Sequence, residues 1–253
     1  MKYARVAYSG SIHEATEQDG KLRLADGRVV EETAVVWLPP VEPGTIFALG
    51  LNYADHAKEL SFQAPKEPLV FLKGPQSGCG HRARTRRPRG VNFMHYECEL
   101  AVVIGKTARR TSRRDAYGYV RGYTVANDYA IRDYLENYYR PNLRVKGRDG
   151  CTPLGPWLVD AADVSDPMNL RLRTLVNGQV VQEGSTRDMI FDIPALIEYL
   201  SGFMTLFPGD VILTGTPEGL TGVKEGDEVV TEIEGVGSLR NTIAGDDEFH
   251  IEK

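Results

Sequence analysis

His95-Tyr96-Glu97-Cys98-Glu99-Leu100-Ala101-Val102-Val103-Ile104 sets two acidic residues at the head of an apolar run. Such a run reads as a β-strand, and residues two apart on a strand point to the same face. Glu97 and Glu99 therefore project together, while Cys98, Leu100 and Val102 face the other way. Like charges at that spacing repel, and a strand this apolar is expected to be buried, so the pair requires a compensating cation. The alternative is a half-exposed strand with its acids on the wet face. Asp128, which closes the short apolar stretch Thr124-Val125-Ala126-Asn127-Asp128, supplies a third carboxylate. Three hard oxygen donors, with no cysteine pair and no close histidine pair, suit Mg²⁺ or Mn²⁺ with water or substrate completing the shell.

On either side of this run the chain reads mostly as strands. Asp19-Gly20, Asp26-Gly27 and Asn177-Gly178 are hairpin-type turns flanked by alternating residues. Pro39-Pro40 and Pro43-Gly44 punctuate the chain before the apolar Thr45–Gly50, which places a boundary between a small N-terminal β unit (residues 1–44) and a catalytic domain (residues 45–253). Further strands are expected at Leu69–Leu72, Asp210–Thr214, Glu228–Ile233 and Leu239–Ile243. Helices are few: Arg113–Val120 behind Ser112 and Asp115, Ile131–Tyr139, and a third starting at Asp192 and Pro194. Strands outnumber helices and do not alternate with them, which predicts an α+β, mostly β class rather than a doubly wound sheet.

At 253 residues, 42% hydrophobic and 26% charged, the composition is that of an ordinary globular chain with enough length for one large core. A formal net charge of -5 argues against a nucleic-acid partner. Cys79, Cys98 and Cys151 are odd in number and far apart, so neither a disulfide framework nor a zinc site is expected, and a reducing cytoplasm is the simplest setting. The N-terminus lacks an apolar signal region, and no run is long enough to cross a bilayer, so no membrane partner is expected. The basic run His81–Arg89 carries no aromatic residue and reads as a solvated loop rather than a nucleic-acid patch.

Other residues are candidates for chemistry. His56 and Glu59 share one side of a short helix, where a carboxylate can orient an imidazole as a general base. Lys146 could stabilise a developing enolate or anchor a carboxylate, and the Thr214-Gly215-Thr216-Pro217 turn could bind an oxyanion. A surface helix, a loop lysine and a structural turn are the plain alternatives.

Six segments, taken in order, carry a resemblance. They are Gly50-Leu51-Asn52-Tyr53-Ala54-Asp55-His56, Phe71-Leu72-Lys73, His95–Leu100, Asn127-Asp128, Lys146 and Leu213–Gly219. Their order and spacing resemble the fumarylacetoacetate hydrolase superfamily over nearly all of residues 45–245. The resemblance implies a mixed β-roll, a homodimer, and a deep site in which Glu97, Glu99 and Asp128 ligate the metal. It implies His56 and Glu59 as a proton-transfer dyad on a lid segment, Lys146 as the site lysine, and Thr216, Arg132 and Tyr53 as substrate contacts. The stretch Tyr129–Lys146 is similar to the isomerase/decarboxylase branch of 4-hydroxyphenylacetate catabolism. That likeness implies an oxo-dicarboxylate substrate, with isomerisation of 2-hydroxyhepta-2,4-diene-1,7-dioate and decarboxylation of 5-oxopent-3-ene-1,2,5-tricarboxylate. An acylpyruvate-type C–C hydrolase, an oxaloacetate decarboxylase, or a structural subunit beside a homologous partner stay open. Ser77-Gly78-Cys79-Gly80 is glycine-rich where relatives are more apolar and is expected near the pocket entrance.

Overall fold

A computed structural model describes residues 1–59, 63–135 and 142–249. The strand Cys98–Ile104 is buried along its whole length, which rules out a wet-faced edge. Leu100 and Val102 pack on one side with Ile193, Leu196 and Leu200, while Ala101 and Val103 pack on the other with Ile46, Leu154 and Val211. Its neighbours in the sheet are Val120–Asn127 and Val211–Leu213, both antiparallel to it. The sheet runs from Leu69–Lys73 at one edge through Ile46–Gly50, Val211–Leu213, Cys98–Ile104, Val120–Asn127 and Thr152–Asp160 to Lys2–Tyr8. The architecture is mostly β with few helices, as the sequence predicts.

Residues 2–38 extend the same sheet through the pairs Lys2↔Val159 and Tyr3↔Leu158. The hairpin at Asp19-Gly20 has both residues left-handed (φ 51° and 75°), which is what a two-residue turn between right-twisted strands requires. Trp37 closes the small apolar cluster of this unit and stands edge-on to His81 and Trp157, with ring centroids 4.9 and 5.6 Å away. Gly80 lies so close that a Cβ on it would sit 2.1 Å from the Trp37 carbonyl oxygen. The glycine-rich 77–80 segment is therefore a docking seam for the N-terminal strands, and the expectation of a pocket entrance is corrected.

A second sheet orders Gln179–Ser185, Arg171–Val176, Glu228–Ile233, Gly237–Gly245 and Arg84–Arg87. Asn177-Gly178 makes its hairpin, again with both residues left-handed. The basic run is not a solvated loop. Arg84–Arg87 is a strand parallel to Gly237–Gly245, and Arg84, Arg86 and Arg89 pair with Glu248, Asp246 and Asp247. The run is held by an acidic segment more than a hundred residues away, a pairing no local reading contains.

Of the expected helices, Ile193–Phe203 forms, with the Asp192 side chain accepting from Ala195 N–H at 2.9 Å. Arg113–Val120 does not: Ser112 Oγ donates to the Asp115 carboxylate instead of capping a backbone, and only a 3-10 turn at Ala116–Tyr119 remains. Ile131 is in a strand and Arg132–Tyr134 forms a 3-10 turn. There the Asp133 carboxylate accepts from the backbone of Asn92 and Phe93, diverting it from any helical role; the later part of that expected helix falls on 136–141, outside the described residues. No helix among the described residues is long and apolar enough to cross a membrane.

His81 Nδ1 accepts from the Arg240 N–H at 3.1 Å, so the ring is held as a neutral acceptor. Burial, reinforced by the charges of Arg82 and Arg240, lowers its pKa to about 4. The unfolded chain would bind this proton near pH 6.5 and the folded one only near pH 4, so stability falls as pH drops through that window. His81→Asn keeps an acceptor in the place of Nδ1 and should flatten the melting-temperature profile between pH 6.5 and 4; a profile parallel to wild type would count against the assignment.

Candidate metal centre and active site

Strand register gathers the acids. Cys98 is paired with Asn127, so Glu97 and Asp128 stand opposite one another just past the ladder. The Asp128 N–H donates to the Glu97 carbonyl at 2.9 Å, and Asn127 Oδ1 accepts from the Glu97 N–H at 3.0 Å. On the other flank Ala101 pairs with Leu213, which brings the Gly215 N–H to Glu99 Oε2 at 2.6 Å. Gly215 is left-handed (φ +88°), and a Cβ there would press on Asn52 at 3.0 Å, so the turn needs glycine. One carboxylate oxygen from each of Glu97, Glu99 and Asp128 lies within 4.8 Å of the others, and all three residues are buried.

Two lysines answer part of this charge. Lys146 Nζ donates to Glu97 Oε2 at 2.6 Å and to Asp128 Oδ2 at 2.7 Å, and Lys73 Nζ holds the other Asp128 oxygen. Burial pushes Glu97 upward, but the Lys146 ammonium, helped by Arg132, outweighs it and holds the carboxyl down at about 2. Lys146 is held protonated, since Asp128 and Glu97 overcome the cost of its burial. Glu99 is different. Burial and the neighbouring Asp128 and Glu97 charges push its pKa well above the usual carboxylate range. Its Oε1 is buried without any hydrogen-bond partner, and no cationic side chain among the described residues bonds to it. A cluster of three hard oxygen donors containing one orphaned, electrostatically frustrated carboxylate fits a divalent cation.

Beside the triad lies a cavity of about 160 Å³, with Leu49, Leu69 and Phe71 among its apolar lining. Its polar lining includes His56, Glu97, Arg132, Lys146 and Thr216. His56 and Glu59 sit on the short helix Ala54–Glu59 with His56 Nδ1 3.1 Å from Glu59 Oε2. The carboxylate can only accept, so Nδ1 carries the proton and Nε2 offers its lone pair. This helix is stapled at both ends to one turn. Asn52 Nδ2 donates to the Thr214 carbonyl at 2.8 Å, and Glu59 Oε1 accepts from the Gly219 and Leu220 N–H groups at 3.0 and 3.1 Å. Arg132 is steered by His95: its Nε donates to His95 Nε2 at 2.7 Å, while His95 Nδ1 lies 3.0 Å from the Tyr96 carbonyl. Burial lowers the His95 pKa to about 4, keeping the ring neutral and able to accept.

Tyr53 departs from expectation. It is fully buried in the main apolar cluster rather than in the cavity lining, and its hydroxyl has no partner. Being next to Asn52, it packs inward where that residue anchors the chain. The sequence reading also missed Lys73, His95 and Asn52 as parts of the site. Lys73 had one visible signal: a cation ending the apolar strand Leu69–Lys73, and it is almost wholly buried.

The sheet, the acid triad and the dyad belong together in a recognisable class. The chain belongs to the fumarylacetoacetate hydrolase family, whose C-terminal domain model matches residues 45–244. Among characterised relatives, it is 63% identical over 220 residues to the 4-hydroxyphenylacetate degradation bifunctional isomerase/decarboxylase of Salmonella dublin, covering 87% of this chain and 51% of that protein. The chain thus spans about half the length of that relative. In structure it is similar to 5-carboxymethyl-2-hydroxymuconate delta-isomerase from Mycobacterium smegmatis, at TM-score 0.86 and 37% identity, covering 97% of this chain and 99% of that one. The 2-hydroxyhepta-2,4-diene-1,7-dioate isomerase of Mycobacterium marinum superposes at TM-score 0.83 with 34% identity, over 97% and 99% of the two chains.

Glu99→Gln tests the metal centre in two ways. The amide can still accept from Gly215 and is neutral without having to take up a proton against its surroundings, so the metal-free protein should melt higher at neutral pH, by about 2–4 °C per kcal/mol gained. The rise in melting temperature that Mn²⁺ gives the wild type should disappear, and calorimetric titration should show no binding. Undiminished Mn²⁺ affinity in this variant would remove Glu99 from the ligand set.

Proposed function

We propose that this protein is an Mg²⁺- or Mn²⁺-dependent isomerase/decarboxylase of 2-oxo and 2-hydroxy dicarboxylates from aromatic catabolism, working as a homodimer. The observation that supports it most is the orphaned Glu99 in a buried acid triad, beside a cavity lined by Arg132, Lys146 and the Glu59-paired His56. The relatives' names supply the substrate class. A divalent ion held by Glu97, Glu99 and Asp128 would supply positive charge to the 2-oxo group and its neighbouring carboxylate.

The chain's own residues account for the remaining steps. His56, with Nδ1–H given to Glu59, takes the proton from the 2-hydroxyl group through Nε2 and returns a proton to the carbon chain. Lys146, kept charged by Glu97 and Asp128, offsets the negative charge that spreads over the substrate as that proton leaves or as CO₂ departs. Arg132, aimed by His95, and Thr216 hold carboxylate oxygens. The apolar side chains of Leu49, Leu69 and Phe71 offer a surface for the unsaturated carbon chain. Isomerisation and decarboxylation share the same charge development, so one site can serve both. The alternative is a chain that works only beside a homologous partner subunit, since it spans about half the length of the bifunctional relative.

Turnover of 2-hydroxyhepta-2,4-diene-1,7-dioate by the purified chain should appear with Mg²⁺ or Mn²⁺ and vanish with a chelator. His56→Ala should lower it about 10²–10⁴-fold while Mn²⁺ affinity stays at the wild-type value. Wild-type turnover in that variant would reject the dyad. Incorporation of solvent oxygen into a new carboxylate would instead indicate C–C hydrolysis, and silence until a homologous subunit is added would indicate an obligate partner.

A further inference from the structure

Gln182 is almost wholly buried on the strand Gln179–Ser185, and among the described residues its hydrogen bonds go to neither the acid side chains nor the dyad. Its amide bridges two parts of the site. Oε1 accepts from Thr174 Oγ1 at 2.9 Å and from the Cys98 N–H at 3.4 Å, between Glu97 and Glu99. Nε2 donates to Thr216 Oγ1 and to the Pro217 carbonyl, both at 2.9 Å. A backbone N–H can only donate and a carbonyl can only accept, so the amide has one orientation and Thr216 can only receive from it. No other hydrogen bond to Thr216 Oγ1 is found among the described residues. Thr216 lines the cavity, so its own hydroxyl proton is left for whatever binds there.

The turn cannot drift from this strand. A Cβ at Gly184 would meet Pro217 at 2.6 Å, and one at the left-handed Gly219 would lie 3.2 Å from the Gln182 Cα. Strand and turn are in direct contact across glycine on both sides of the amide.

We propose that Gln182 is a positioning residue that makes Thr216 an obligate hydrogen-bond donor into the cavity, tied at a fixed distance to the strand bearing Glu97 and Glu99. A hydroxyl that can only donate bonds an anionic oxygen more strongly than a neutral one, so Gln182 favours a carboxylate on the substrate over a neutral hydroxyl or ester at the same place. The choice of ligand rests on the cavity being a 2-oxo dicarboxylate site, as proposed above.

The test is calorimetric binding of 2-oxoheptanedioate, which has no double bond to shift, to the Mg²⁺-loaded protein. Gln182→Met and Thr216→Val should each weaken binding about 10-fold or more, as for loss of a hydrogen bond to a charged group. The double variant should be no weaker than either single one, and Thr216→Ser should bind as wild type. Additive losses, or unchanged affinity in Gln182→Met, overturn the proposal. A neutron structure of the free wild-type protein reads the same point without ligand and without a variant that must fold. A deuteron on Thr216 directed into the cavity supports the assignment; one directed at Gln182 overturns it. If the wild type does not bind 2-oxoheptanedioate, the substrate class fails, and the neutron map decides the role of Gln182 alone.

Discussion

Three carboxylates held together out of water are the condition to which the rest of this molecule is fitted. Glu97, Glu99 and Asp128 would repel one another if left unanswered, and the fold answers incompletely. Lys146 bridges two of the acids and Lys73 holds Asp128 from behind, yet Glu99 gets only a backbone N–H on one oxygen and nothing on the other. A fold that neutralised all three acids would be easier to stabilise and would have no reason to take up a cation. The shortfall leaves a site that could take up a divalent cation. The rigidity that maintains it comes from the flanking strands, whose register places Asp128 against Glu97 and Gly215 against Glu99.

Three groups that line the cavity, Arg132, Glu97 and His56, are each set by a neighbour that does not itself line it. His95 aims Arg132, Asn127 fixes the Glu97 backbone, and Glu59 fixes the tautomer of His56. The positioning groups are neutral or already paired, so they add little net charge where the balance matters. Such placement on strands rather than on free loops holds a site to the tolerance its chemistry needs.

Much of this was legible before any coordinates. Alternation along 97–104 gave the shared face of Glu97 and Glu99, Asp-Gly and Asn-Gly pairs gave the hairpins, and the Asp192–Pro194 signal gave the longest helix among the described residues. What stayed hidden depends on distant partners. The basic run 82–89 looked solvated because its acidic counterparts at 246–248 lie at the far end of the chain. Tyr53 looked like a ligand contact because it sits in the same segment as His56, but the side chain turns into the apolar cluster. The helix expected at 113–120 failed because Ser112 and Asp115 satisfied one another. Lys73 shows the limit most plainly: nothing local in Phe71-Leu72-Lys73 points to Asp128, which the fold sets beside it.

The stapling of the helix Ala54–Glu59 to the 214–220 turn has one more implication. The imidazole and the hydroxyl that flank the cavity are mounted on pieces fastened to each other at two points, so neither can swing aside while the other stays. Under the proposed function, admission of substrate and alignment of these two groups would be a single event. A half-seated substrate would then meet neither His56 nor Thr216, which would shield an unsaturated acid from stray protonation.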